Sequence, residues 1–109
     1  MFGNFFNTSH VDAFSALVVR ELTKGMPPDQ LNISSKKAEI ARARVDGKIR
    51  THAQQLINNH KLNIYQKAKL GSRLQDDLRE AGFPESFSEA FAYDVVRLIA
   101  LISAQAKAK

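Results

Sequence analysis

An all-α fold is predicted: a compact domain of four helices, arranged as a bundle or as an irregular helical array, with no sheet. Three observations support this prediction. Apolar residues recur every three or four positions over four stretches of the chain. Gly, Pro or Asn residues separate these stretches, and no segment shows the strict alternation of a strand. With 109 residues, 44% of them hydrophobic, the chain fits a single domain over residues 1–109.

The first predicted helix covers residues 9–24. Ser9 is the expected N-cap, and Asp12 stands three positions later, where its carboxylate can reach back to the cap. The residues that share the apolar face are Val11, Phe14, Val18 and Leu22. Gly25 and the two prolines that follow end the helix. Residues 1–8 form an apolar N-terminal arm.

The second predicted helix covers residues 35–59 and begins at Ser34 or Ser35. Its apolar stripe consists of Ala38, Ala41, Val45, Ile49, Ala53 and Leu56. Gly47 is the weak point of this helix, because glycine has a low helix propensity.

The third predicted helix covers residues 64–81 and ends at Gly82. Its expected apolar stripe consists of Ile64, Ala68, Gly71, Leu74, Leu78 and Ala81. The fourth covers residues 85–106 and begins near Pro84 or with Ser86 as N-cap. Its stripe is Phe87, Phe91, Val95, Leu98, Ile99 and Ile102.

Apolar side chains beyond these stripes suggest a homodimer. Val96 and Leu101 flank the stripe of the fourth helix and widen its apolar surface, which therefore needs several neighbours. Phe2, Phe5 and Phe6 on the arm either close the core or dock on another subunit. We expect these five residues to form an oligomer interface near a two-fold axis.

Positive charge is concentrated in the middle of the chain. The segment from Lys36 to Arg79 holds eleven basic and four acidic residues, a net charge of +7, and each flank carries −1. Such an uneven distribution produces a directed field that attracts an anionic partner. Some of the charge is expected to be neutralised locally, because Arg73 and Asp77 stand four residues apart on the third helix.

Three of the basic residues project close together from the second helix. Lys37, Arg44 and Lys48 fall within about 40° of each other in a helical projection and form a basic ridge. A looser row of cations lies on the other side of the exposed face. The predicted polyanion-binding residues are Lys36, Lys37, Arg44, Lys48, Arg50, Lys61 and Lys67. The alternative interpretation is a solvated helix face with no partner.

A second candidate is an anion site at the start of the second helix. Ser34 and Ser35 are followed by two lysines, whose charges oppose the helix dipole in the first turn. Free N–H groups, two hydroxyls and two ammonium groups would together suit a phosphate or a carboxylate.

Several functional classes are excluded or unsupported. The absence of cysteine excludes disulfides, thiolate catalysis and cysteine-ligated metals. His52 and His60 would stand about 12 Å apart on one helix, and His10 is remote in sequence, so no metal is expected. No cofactor motif and no pairing of a nucleophile with a base occurs, so we predict no catalytic residues and a protein that is not an enzyme.

The chain is predicted to be cytoplasmic, without membrane insertion. Its N-terminus lacks the pattern of a secretory signal, and its most apolar run, Val95 to Ile102, is far shorter than the roughly 20 residues of a membrane span.

Two functions remain open. The first is a non-catalytic interaction module whose basic second helix contacts an acidic protein or other polyanion. The alternative is a sequence-nonspecific nucleic-acid-binding protein that uses the same basic ridge. Phosphate neutralisation predicts an affinity that falls steeply with salt, whereas contact with a protein that includes apolar surface predicts a weaker dependence.

Overall fold

The computed structural model describes residues 6–108, with the side chains of residues 6–106. Within this range the chain forms four α-helices and no strand. The helices are α1 (Ser9–Gly25), α2 (Lys36–Asn59), α3 (Ile64–Glu80) and α4 (Glu85–Ala108), and a short 3-10 helix, Pro28–Gln30, lies between α1 and α2. The predicted all-α, four-helix class is confirmed, and each predicted helix boundary agrees within two residues.

The four helices form a ring that does not follow their order in the chain. α1 packs against α2 and α3, and α4 packs against the same two helices. The order around the ring is therefore α1, α2, α4, α3. The short link at residues 60–63 joins the two helices that lie diagonally opposite, which distinguishes this arrangement from a simple up-and-down bundle of sequence neighbours.

Side-chain contacts fix the helix directions. α1 and α2 are antiparallel, because Glu21 near the end of α1 meets Lys48 in the middle of α2, whereas His10 at its start stacks on His60 beyond the end of α2. α1 and α3 are parallel, because Ser15 meets Asp77 while Asn7, just before α1, meets the start of α3.

The core lies inside this ring and draws on every helix. Each fully buried leucine or isoleucine side chain stabilises the fold by about 1.5–3 kcal/mol relative to leaving it exposed. The buried hydrophobic residues are Val11, Phe14, Val18, Leu22, Val45, Ile49, Ala53, Leu56, Leu62, Leu70, Leu74, Leu78, Phe83, Ala92, Val95, Ile99 and Ile102. The predicted stripes of α1 and of the middle of α2 are thus confirmed.

The predicted stripe of α3 was wrong in part. Ile64 is 82% exposed, and Ala68 and Ala81 are exposed as well. The residues buried from this helix are Gln66, Leu70, Leu74 and Leu78. The polar Gln66 takes a core position because its side chain is bonded at both ends: Oε1 accepts from the Asn63 N–H at 2.9 Å, and Nε2 donates to the Asn7 carbonyl at 2.7 Å.

The N-cap of α1 differs by one residue from the prediction, and the N-cap of α2 is one of the two predicted serines. Thr8, and not Ser9, occupies the N-cap position, and its hydroxyl donates to the Asp12 carboxylate at 3.1 Å. At α2, Ser35 is the N-cap, and its hydroxyl accepts from the Ala38 N–H at 3.1 Å.

Gly82 and Pro84 shape the turn between α3 and α4. Gly82 has a φ of +99°, the left-handed conformation that favours glycine after a helix end. α4 begins directly after Pro84, whose carbonyl accepts from the Ser88 N–H at 2.9 Å. Ser86 lies inside the helix, so its predicted role as the N-cap was wrong, whereas the start near Pro84 is confirmed.

Candidate polyanion interface

Among the helices of the described part of the chain, α2 carries the most unpaired positive charge. It holds six basic and two acidic residues, a net charge of +4. Within residues 6–108, five of the six basic side chains have no carboxylate within 4 Å: Lys36, Lys37, Arg42, Arg44 and Arg50. All five are exposed. The helix therefore presents a net positive surface to solvent.

Lys48 is the residue of the basic ridge that forms an ion pair within the fold. Its ammonium group lies 3.9 Å from the carboxylate of Glu21, whose side chain is only 12% exposed. The pair joins α2 to α1. Lys48 is therefore less available to a partner than Lys37 and Arg44.

The two arginines of α3 are held by neighbouring carboxylates. The predicted Arg73–Asp77 pair is confirmed, at 3.2 Å, and Arg73 also lies 3.8 Å from Asp12. The hydrogen bond to Asp77 raises the pKa of the Arg73 guanidinium above its ordinary value. The second pairing is that of Arg79 with Asp76 and Glu85. These pairs leave the field of α2 as the dominant positive feature.

Two neighbouring depressions lie where the start of α2 extends past the end of α1. Together we call them the α1–α2 groove. Both are bordered by Gly25 and Ala41. The first, of about 260 Å³, is lined by Gly25, Met26, Gln30, Ile33, Ser35, Lys37, Ala38, Ala41 and Arg42. The second, of about 300 Å³, is lined by Glu21, Lys24, Gly25, Ala41, Arg44, Val45 and Lys48. The groove thus brings together the three ridge residues.

Arg42 belongs to this site although the helical projection did not select it. It projects about 140° away from Lys37 around α2, within the arc of the predicted apolar stripe. The segment 26–35 folds over the start of α2, so that both side chains line the first depression. Their convergence depends on the path of this segment, which periodicity within α2 does not reveal.

The seven predicted polyanion-binding residues do not form one surface. Lys36 and Arg50 are exposed and line neither depression of the groove. Lys61 and Lys67 line a separate cleft at the opposite end of α2. Because α2 rises about 1.5 Å per residue, Lys37 and Lys61 stand roughly 36 Å apart.

The predicted anion site at Ser34 and Ser35 is partly used by the fold. The hydroxyl of Ser35 caps α2 by accepting from the Ala38 N–H, which removes one of the free N–H groups. Ser34 is exposed, as are Lys36 and the other lysine of this turn. The site stays a prediction, with fewer free groups than the sequence indicated.

The predicted oligomer-interface residues have different surroundings. Val96 is half-buried against α3, where a Cβ added to Gly71 would lie 3.2 Å from a Val96 methyl group, so Val96 serves the core rather than the predicted outer surface. Leu101 is exposed. Phe6 is exposed and packs edge-to-face on Tyr65, with ring centroids 5.1 Å apart. Phe2 and Phe5 lie outside the described residues.

Two histidines that the sequence places far apart meet in the fold. The rings of His10 and His60 stack with their centroids 3.9 Å apart and their planes 15° apart. No group of three or more His, Cys, Asp or Glu side chains that could hold a metal ion is found among the described residues. Nor does any helix in that part of the chain have the length and hydrophobicity needed to cross a bilayer.

No protein-family model, curated protein or solved structure matches this chain. Its function is therefore inferred from its own residues.

Proposed function

We propose that this protein is a non-catalytic interaction module that binds an acidic, amphipathic segment of a partner protein in the α1–α2 groove. One observation carries the proposal: Lys37 and Arg42 line the same depression as Met26 and Ile33, and no carboxylate lines it. A partner there meets positive charge and apolar surface together. An amphipathic acidic helix supplies the complement of both.

The apolar side chains of the groove favour a protein partner over a nucleic acid. Ile33, which lines the first depression beside Met26, is 52% exposed. A phosphate backbone offers nothing apolar to cover such side chains, whereas leucines on a helical partner do. Nucleic-acid binding through the same cations is the alternative, and the experiment below separates the two.

The test is a triple charge reversal, Lys37→Glu, Arg42→Glu and Arg44→Glu. Lys48 is left unchanged because its reversal would place two carboxylates together at Glu21. The matched control reverses Arg20, Arg50 and Lys69, which are exposed and line neither depression. Both variants change the net charge equally, and circular dichroism verifies that each stays helical.

The probe is a fluorescent peptide of about 18 residues, five helical turns, with leucine at helical spacing and glutamate elsewhere. A scrambled peptide of the same composition and a short duplex DNA are measured beside it by anisotropy. We expect the amphipathic peptide to bind more tightly than the scrambled one. The groove reversal should weaken this binding by about tenfold or more, a loss of 1.4 kcal/mol, and the control reversal should change it little.

Two results would contradict the proposal. Equal binding of the ordered and scrambled peptides would show that only net charge matters. Tighter binding of the duplex, lost between roughly 50 and 200 mM salt and weakened by both reversals, would establish the nucleic-acid alternative.

A further inference from the structure

A second site, which we call the His60 cleft, lies at the other end of α2. The last turn of α2, the following link, the start of α3 and the end of α4 enclose an open space of about 340 Å³. Its apolar wall is formed by Ile57, Leu62 and Ala106. This volume is at the lower end of the range for small-molecule sites.

The polar side chains that line the cleft are all potential hydrogen-bond donors to an anion. They are His60, Lys61, Lys67 and Ser103, and no carboxylate lines the space. Neither lysine has a carboxylate within 4 Å among the described residues, although Lys67 is half-buried. A partly buried ammonium group without a counter-ion is stabilised when an anion binds beside it.

The cleft is also partly organised before any ligand arrives. His60 is held by its stack on His10, with the ring planes nearly parallel. Lys67 projects from the first turns of α3, which is fixed by the reciprocal hydrogen bonds of Asn63 and Gln66. Donors that are already positioned lose less conformational entropy on binding.

We propose that the His60 cleft binds a small organic phosphate, a phosphate monoester attached to an apolar body. Two lysines provide point charges of the kind that bind phosphate, whereas planar carboxylates are matched best by the fork of an arginine, and no arginine lines the cleft. The wall of Ile57 and Leu62 contacts the apolar body.

The experiment titrates the ¹⁵N-labelled full chain with phenyl phosphate, inorganic phosphate and benzoate, and follows amide chemical shifts. We expect phenyl phosphate to shift saturably the amides of the residues that line the cleft. Inorganic phosphate should bind at least about tenfold more weakly, because it buries no apolar surface. Equal affinity for inorganic phosphate, equal or tighter binding of benzoate, or no saturable shift would each overturn the proposal.

Single charge-removing variants identify the site. Lys61→Gln and Lys67→Gln should each weaken phenyl phosphate binding by about tenfold, the scale of one lost charge-assisted hydrogen bond. Lys69→Gln is the matched control, because it removes the same charge from α3 about 160° away from Lys67 around the helix. An equal loss in this control would show nonspecific attraction and overturn the proposal.

Binding of phenyl phosphate in the His60 cleft should not depend on the α1–α2 groove. The variant with Lys37, Arg42 and Arg44 reversed should keep phenyl phosphate binding at the cleft, since that end of α2 is roughly 30 Å away. Failure of one site therefore does not imply failure of the other.

Discussion

Asp77 connects two helices through a single carboxylate. It accepts from the Ser15 hydroxyl of α1 at 2.8 Å and from Arg73 of its own helix at 3.2 Å. Ser15 is completely buried, so in the folded protein its hydroxyl bonds to Asp77 rather than to bulk water. Arg73 extends the connection to Asp12, which Thr8 also contacts. A few polar groups thus fix how α1 lies against α3.

Removing this carboxylate should destabilise the fold. We expect Asp77→Ala to lower the free energy of unfolding by about 1–3 kcal/mol, because it leaves the buried Ser15 hydroxyl without an acceptor. Urea denaturation with an unchanged slope measures the loss. Asp76→Ala is the control, since this neighbouring carboxylate is exposed and pairs only at the surface. Equal losses in the two variants would contradict the role assigned to Asp77.

Among the side-chain contacts, only those between residues close in the sequence could be predicted. The pair Arg73–Asp77 and the cap at Ser35 follow from spacings of four and three residues. The bonds from Ser15 to Asp77 and from Gln66 to Asn7 join residues 62 and 59 positions apart, respectively, and no periodicity indicates them. For the same reason the sequence did not indicate the stack of the two histidines.

At the scale of the helices, Gly25 determines how closely α1 approaches α2. As predicted, α1 ends at Gly25. Its φ is not positive, since Gly82 is the only glycine with positive φ among the described residues. A Cβ on Gly25 would overlap a methyl group of Val45, in the third turn of α2. The absence of a side chain therefore permits the packing that borders the groove.

Alanine at two glycines should have opposite effects. We expect Gly25→Ala to cost about 1–3 kcal/mol of stability, because it forces α1 away from Val45. Gly47→Ala should instead stabilise by about 0.5–1 kcal/mol, since nothing lies within 4 Å of the added methyl group. Thermal and urea unfolding compare both with the unchanged chain. Stabilisation by Gly25→Ala would refute the close approach.

Helix boundaries were easier to predict than the buried face of a helix. Caps, glycines and prolines act on adjacent residues, so the limits of all four helices follow from the sequence. The face of α3 did not, because Gln66 enters the core only when Asn7 supplies a partner. The contribution of Arg42 to the groove was not predicted for a similar reason. The first depression forms only because the segment 26–35 lies over the start of α2.

At the scale of the whole molecule, the expected homodimer needs a surface other than Val96. The outer face of α4 still exposes Tyr93 and Leu101. We expect light scattering at high micromolar concentration to give the mass of two chains, and Leu101→Glu to give that of one. Tyr93→Phe, which keeps the apolar ring, is the control and should leave the dimer intact. A single-chain mass for the unchanged protein would end the hypothesis.

The ring order also determines when the chain can fold during its synthesis. The ribosome releases α1 and α2 first, but α1 is fully covered only when α3 arrives, and α2 only when α4 does. The nascent chain therefore carries incompletely covered apolar faces until α4 has left the exit tunnel, and such exposed faces are prone to aggregation and chaperone binding.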